Sequence, residues 1–144
     1  MEKFAYAVIL ALLLAGCSSE QTSKSLSVEE QLALQYVEQF QNSKDVEVKK
    51  KFVEEHIYTD AKPIFTLVAS TPSKDSVALN DVSIVGSVDY EKDGEKGKSV
   101  LVRGKKSNGE DVEEIFLFSD GKLVWGYTEA DDKATFDKLR MEFK

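Results

Sequence analysis

The chain has 144 residues, with 19 Lys and Arg against 26 Asp and Glu, one His and one Cys. The net charge of −7 argues against nucleic-acid binding, which needs clustered Lys and Arg, and against a domain lying flat on anionic lipid. A lone cysteine allows no internal disulfide, and with one histidine beside it the usual zinc sets are excluded. No metal and no cofactor is expected.

The first element is a leader. Lys3 precedes an uncharged, mostly apolar run from Phe4 to Ala15. As a helix this run would rise roughly 18 Å at about 1.5 Å per residue, against a hydrocarbon core of about 30 Å. It is too short to span a bilayer and reads as the apolar region of a signal peptide. It closes on Leu14-Ala15-Gly16-Cys17, with Ser18-Ser19 following. Those four residues resemble the bacterial lipobox. The resemblance implies cleavage between Gly16 and Cys17 and a diacylglyceryl thioether on Cys17, with a third, amide-linked chain as an option on the new amino terminus. Two acyl chains give stable retention where one gives only marginal binding. The expected location is the extracytoplasmic face of the cell membrane. In a two-membrane host, with which Ser18 is compatible, it is the periplasmic face of the outer membrane. Ser18 to Ser25 is polar and patternless and reads as a flexible tether. The expected organisation is therefore a signal peptide over 1–16, lipidated Cys17 and tether over 17–26, and one domain over 27–144.

Within the domain, Ser27-Val28-Glu29-Glu30 has the form of a capping box. Leu32, Ala33, Tyr36, Val37 and Phe40 follow at helical spacing and predict a helix over 28–41 that stops near Asn42. Ser43-Lys44-Asp45 starts a second helix with Val48, Phe52 and Val53 inward, ending before Pro63, and the two form a hairpin. Ile64 to Ala69 reads as a strand, with a buried helical turn as the alternative, and 71–75 as a loop. From Asn80 four strands follow. Asp93-Gly94 (with Gly97), Ser107-Asn108-Gly109 and Asp120-Gly121 punctuate them as turns. Asp131-Asp132 opens a last helix with Phe136, Leu139 and Phe143 on one stripe.

The sum is an α+β domain: a helical hairpin, a curved antiparallel sheet of four or five strands, and a C-terminal helix. The opening Leu34 to Asp45 and the late strand Asp120 to Trp125 are similar to those of small bacterial lipoproteins with the cystatin-like fold, in the branch named for nuclear transport factor two. The resemblance covers most of 28–128. The chain departs from it by lacking a clear third helix before the hairpins and by adding a C-terminal helix, and both departures argue against a deep family-type pocket.

Simple alternation sends Ile84, Val88, Val100, Val102, Phe116, Phe118, Leu123, Trp125 and Tyr127 toward the helices. It sends Val85, Leu101, Ile115, Leu117 and Val124 to the other face. A solvated back face is normally polar, so these five form either an interface patch or a surface covered by a loop or by segment 61–79. A register slip at a bulge would reverse some of these assignments. His56, with Tyr58 and Asp60 nearby, is the candidate acid–base group, although the three do not share a helical face and a helix-end histidine also suits the local dipole. Glu113-Glu114 and Glu129-Asp131-Asp132 read as solvated acids without calcium-loop spacing. No glycine pattern cradles phosphate and no serine has a base partner in a motif. Two functional readings follow. One is a non-catalytic binding or interaction module that self-associates, captures an envelope protein or holds a small apolar ligand, with Trp125 or Tyr127 at a pocket mouth. The other is a small enzyme of isomerase or hydratase type, as the fold resemblance implies.

Overall fold

The capping box closes as its residues require. Ser27 Oγ accepts from the Glu30 amide at 3.1 Å, and Glu30 Oε1 accepts from the Ser27 amide at 2.9 Å. In this computed structural model, which describes residues 25–143, helix α1 then runs Val28–Tyr36 and continues as a π turn over Val37–Gln41. The proposed leader, Gly16, Cys17 and most of the tether lie outside the described residues. The Asn42 side chain clamps the helix end to the coming sheet, donating to Leu79 O at 2.7 Å and accepting from Leu79 N at 2.9 Å.

Asp45 caps helix α2, Val46–His56, through its carboxylate and the amides of Glu47 and Val48. The buried face of α2 carries Lys49, Phe52 and Val53, while the expected inward Val48 is 38% exposed. A lysine takes the inner position because its ammonium donates to Thr71 O and Ser73 Oγ, both at 2.8 Å, and lies 5.1 Å from the Phe40 ring centre.

The second helix stops at His56, well before Pro63. Ile57 is extended and bridges Leu123 in parallel, so Tyr58 N donates to Leu123 O at 2.8 Å. Segment 64–69 is helical, not a strand. Helix α3 spans Lys62–Ala69 with Pro63 in its first turn, where the fixed φ of proline favours a start and not a stop. Phe65 and Ala69 are buried one turn apart, while Ile64, Leu67 and Val68 are exposed. A third helix therefore does precede the hairpins.

Strands β1 (Asn80–Lys92), β2 (Glu95–Lys105), β3 (Asp111–Ser119) and β4 (Lys122–Thr128) form an antiparallel meander in the order β1-β2-β3-β4. The two-residue turns Asp93-Gly94 and Asp120-Gly121 both hold positive φ at each position, the geometry that matches strand twist. Helix α4, Lys133–Arg140, is capped by Asp132, which accepts from the Thr135 amide at 3.1 Å.

Alternation along β2 and β3 separates two cores. Val100, Val102, Phe116 and Phe118 pack with Leu123 against α1, α2 and α3. Leu101 and Ile115 pack on the opposite face against Phe136 of α4, with Leu117, Tyr127, Leu139 and Phe143 around them. The back face is thus covered by the C-terminal helix and not by segment 61–79. Two bulges change the expected parity. In β1, Ile84 pairs with Val102 but Gly86 pairs with Leu101, so Val85 is extra and Val88, opposite Ser99, joins the back face. In β4, Leu123 pairs with Phe118 but Trp125 pairs with Leu117, so Val124 is extra and Tyr127, opposite Ile115, also joins the back face. Trp125 sits on this edge strand, 38% exposed, with its ring edge-on to Phe65 at 5.5 Å.

Gly97 is where the sheet is tightest. A Cβ there would collide with the Phe118 backbone oxygen and with the Tyr90 ring, whose hydroxyl donates to that same oxygen at 2.9 Å. Gly97→Ala is expected to cost about 2–3 kcal/mol, because the backbone atom cannot move aside. Urea unfolding monitored by far-UV circular dichroism measures this, and a loss below about 0.5 kcal/mol would contradict the packing described.

Candidate functional site

The polar end of the helix-facing core opens into a cavity of about 760 Å³ between the helices and strands β3 and β4. That volume lies in the range of small-molecule sites. Its apolar wall is aromatic. Tyr36 stacks on Phe40 at 5.1 Å and meets Phe116 edge-on at 5.1 Å. Gly126, opposite Phe116, leaves room for that ring, since a Cβ there would lie 2.9 Å from it.

Glu114 lines this cavity. Its position in β3 shares parity with Phe116 and Phe118, which turns an acid inward, and it is 5% exposed. The solvated reading of Glu113-Glu114 therefore fails for Glu114. The π turn carries Gln41 opposite it, and one amide nitrogen donates both to Glu114 Oε1 at 2.6 Å and to Val77 O at 2.7 Å. Burial pushes the Glu114 carboxyl up to about 7; the Gln41 hydrogen bond opposes this and the nearby Asp131 carboxylate adds to it. Burial, Glu114 and Asp131 together raise the Tyr36 hydroxyl above its ordinary value, so it stays protonated. Lys49 also lines the cavity, and burial lowers its ammonium below the usual lysine range. The cavity thus presents a near-neutral carboxyl and a phenol beside aromatic rings, a set that can hold a polar head against an apolar body or exchange a proton.

Glu113, on the opposite side of β3, is a structural partner. It accepts from Arg103 at 3.0 Å and from Arg140 of α4 at 3.0 Å, anchoring α4 to the sheet. Burial raises its carboxyl, but the hydrogen bonds from the two guanidinium groups outweigh this and hold it below the usual range.

The residues singled out from the sequence lie elsewhere. His56 packs its ring 5.0 Å from Phe52, and its nearest acid is Glu55 at 3.6 Å. Burial lowers its pKa, Glu55 opposes that shift, and Lys122 adds to it. Tyr58 and Asp60 share no hydrogen bond with it among the described residues, and none of the three lines the cavity. The nearby Glu95 carboxylate, more than burial or Asp60, raises the Tyr58 hydroxyl. Of the five back-face positions, Leu101 and Ile115 are fully buried, Leu117 and Val124 are half-buried, and only Val85 is exposed, at 42%. They form no open patch. Neither Trp125 nor Tyr127 reaches the cavity, although Gly126 between them does.

Among the described residues no helix is long and apolar enough to cross a membrane, and no three His, Cys, Asp or Glu are placed to hold a metal ion. No protein-family model, no curated protein and no solved structure matches this chain.

Proposed function

We propose that this chain is a lipid-anchored extracytoplasmic binding module, in the cystatin-like manner that its sequence resembles. Its working part is the cavity between the helices and the sheet, where it holds a small ligand without transforming it. The observation that carries this reading is the buried carboxyl of Glu114 within an aromatic-walled space of about 760 Å³. A carboxyl shielded from bulk water is costly to hold, and strongly perturbed groups of this kind in cavities are candidates for ligand binding.

The anchor half of the reading rests on Leu14-Ala15-Gly16-Cys17. Cys17→Ser is expected to abolish incorporation of a clickable palmitate and leave an uncleaved precursor, read by in-gel fluorescence and by intact mass. Equal labelling of the two proteins would remove the anchor. The binding half is tested on protein extracted from its own membranes in a mild detergent. Native mass spectrometry should show an adduct that Glu114→Gln loses.

One observation favours a second reading. A carboxyl near neutral beside a protonated phenol is the pairing a proton-transfer enzyme of isomerase or hydratase type needs. Turnover of the extracted ligand, lost in Glu114→Gln, would favour the enzyme over the binding module.

A further inference from the structure

Glu114 has an unmet demand. Oε1 accepts from Gln41, but no described residue donates to its second oxygen, and no described lysine, arginine or histidine pairs with it. Every fully buried side-chain polar atom among the described residues has a partner, so this oxygen opens into the cavity. The charge that acts on the group is a second acid, Asp131. The lining adds Glu110, Asp111, Glu113 and Glu129 to these two acids, against three lysines: Lys133, engaged by Glu129 and Asp137 at 3.2 and 2.9 Å, Lys49, held by Thr71 and Ser73, and Lys106. Opposite the carboxyl stand the rings of Tyr36, Phe40 and Phe116. One of them, Phe40, already lies 5.1 Å from a cation, the Lys49 ammonium. The chain itself therefore seats an ammonium against this aromatic cluster.

We propose that the cavity binds a small organic ammonium ion, a compact apolar body bearing one charged N–H donor, with the nitrogen on the free oxygen of Glu114 and the body against Tyr36 and Phe116. This rests on the reading of the cavity as a binding site and names the chemistry of its ligand. A cation supplies both the donor and the charge that the buried carboxylate lacks. It gains further from the ring faces and is drawn in by the acidic rim. A neutral donor would satisfy the oxygen but not the charge, and an anion near Glu114 would meet Asp131 and Glu129 as well, while Lys49 is held away by Thr71 and Ser73.

The test compares three probes of nearly one shape: phenethylammonium, 2-phenylethanol and phenylacetate. Each is titrated at pH 8 by isothermal calorimetry into the full-length lipidated protein in a non-ionic detergent, against detergent alone. The ammonium is expected to bind about tenfold or more tighter than the alcohol, with the acid weakest. Glu114→Gln should bring ammonium and alcohol to the same affinity. Should the variant not fold, the ranking of the three probes on the unaltered protein decides alone. Equal affinity for ammonium and alcohol, or tighter binding of the acid, overturns the proposal and leaves the cavity a ligand site of another chemistry. Binding of none of the three overturns the proposal, and absence of a Glu114-dependent adduct in native mass spectrometry separately overturns the binding reading beneath it.

Discussion

Phe116→Ala is expected to lower the stability of the domain by about 3–5 kcal/mol. Phe116 is fully buried, meets Tyr36 at 5.1 Å and lies against Gly126 on the neighbouring strand. The hole left by its ring would not close. Strand β3 is held by ladders to β2 and β4 on either side, so the backbone around the hole cannot close in. Lost contacts would therefore not be regained by collapse. Urea unfolding of both proteins provides the measurement. Leu67→Ala on α3, where the side chain is 72% exposed, should change stability by less than about 0.5 kcal/mol and serves as the contrast. Similar losses at the two positions would mean that the sheet and α3 do not pack as described.

Glu114 should impose a pH dependence of opposite sign to that of an ordinary paired acid. Its carboxyl titrates near 4.3 in an unfolded chain and at about 7 in the fold. Below about 4.3 both states hold the proton and the group contributes nothing. Between these values the unfolded chain ionises while the folded one does not, so the unfolded state is favoured progressively as pH rises. Above about 7 both are ionised and the penalty stands in full, on the order of 3 kcal/mol. Gln41 and Tyr36 face this carboxyl from α1 and Asp131 from the segment before α4, and only the Gln41 hydrogen bond opposes the shift.

The acids whose pKa is lowered act at lower pH. Glu113, Asp75, Asp111 and Asp132 each lend stability that is lost as pH falls through their depressed values. They are common to both proteins when Glu114→Gln is compared with the unaltered chain. The difference between the two urea midpoints, followed from pH 4 to 8, therefore isolates Glu114. Glu114→Gln should gain relative stability steadily from pH 4.5 to 7 and then level off. Two curves that stay parallel throughout would mean that the carboxyl is not buried as described.

These two predictions bear on one place. Phe116 forms the apolar wall of the cavity and Glu114, two residues earlier on the same strand face, its polar end. A strand that sends an acid into its apolar face sacrifices stability above pH 7.

What the sequence determined by itself was local. The helix starts at Ser27, Asp45 and Asp132 were legible because each cap bonds an amide two or three residues away. The turns at Asp93-Gly94 and Asp120-Gly121 were legible because two adjacent residues with positive φ are sufficient to make them. Strand periods and the α+β order followed from side chains alternating along each segment. The remainder depends on partners far along the chain. Segment 64–69 became a helix because Phe65 and Ala69, one turn apart, meet the helix-facing core. Val88 and Tyr127 changed faces because one extra residue in an edge strand shifts the alternation beyond the bulge. The back face was closed by α4, held to Glu113 by Arg140 from 27 residues away. Lys49 and Glu114 look like surface charges in sequence. Their burial is tolerable only because Thr71 and Ser73 reach the first from another segment and Gln41, 73 residues distant, reaches the second. A charge can leave water only where the fold supplies a partner, and no spacing in the sequence records which distant side chain that will be.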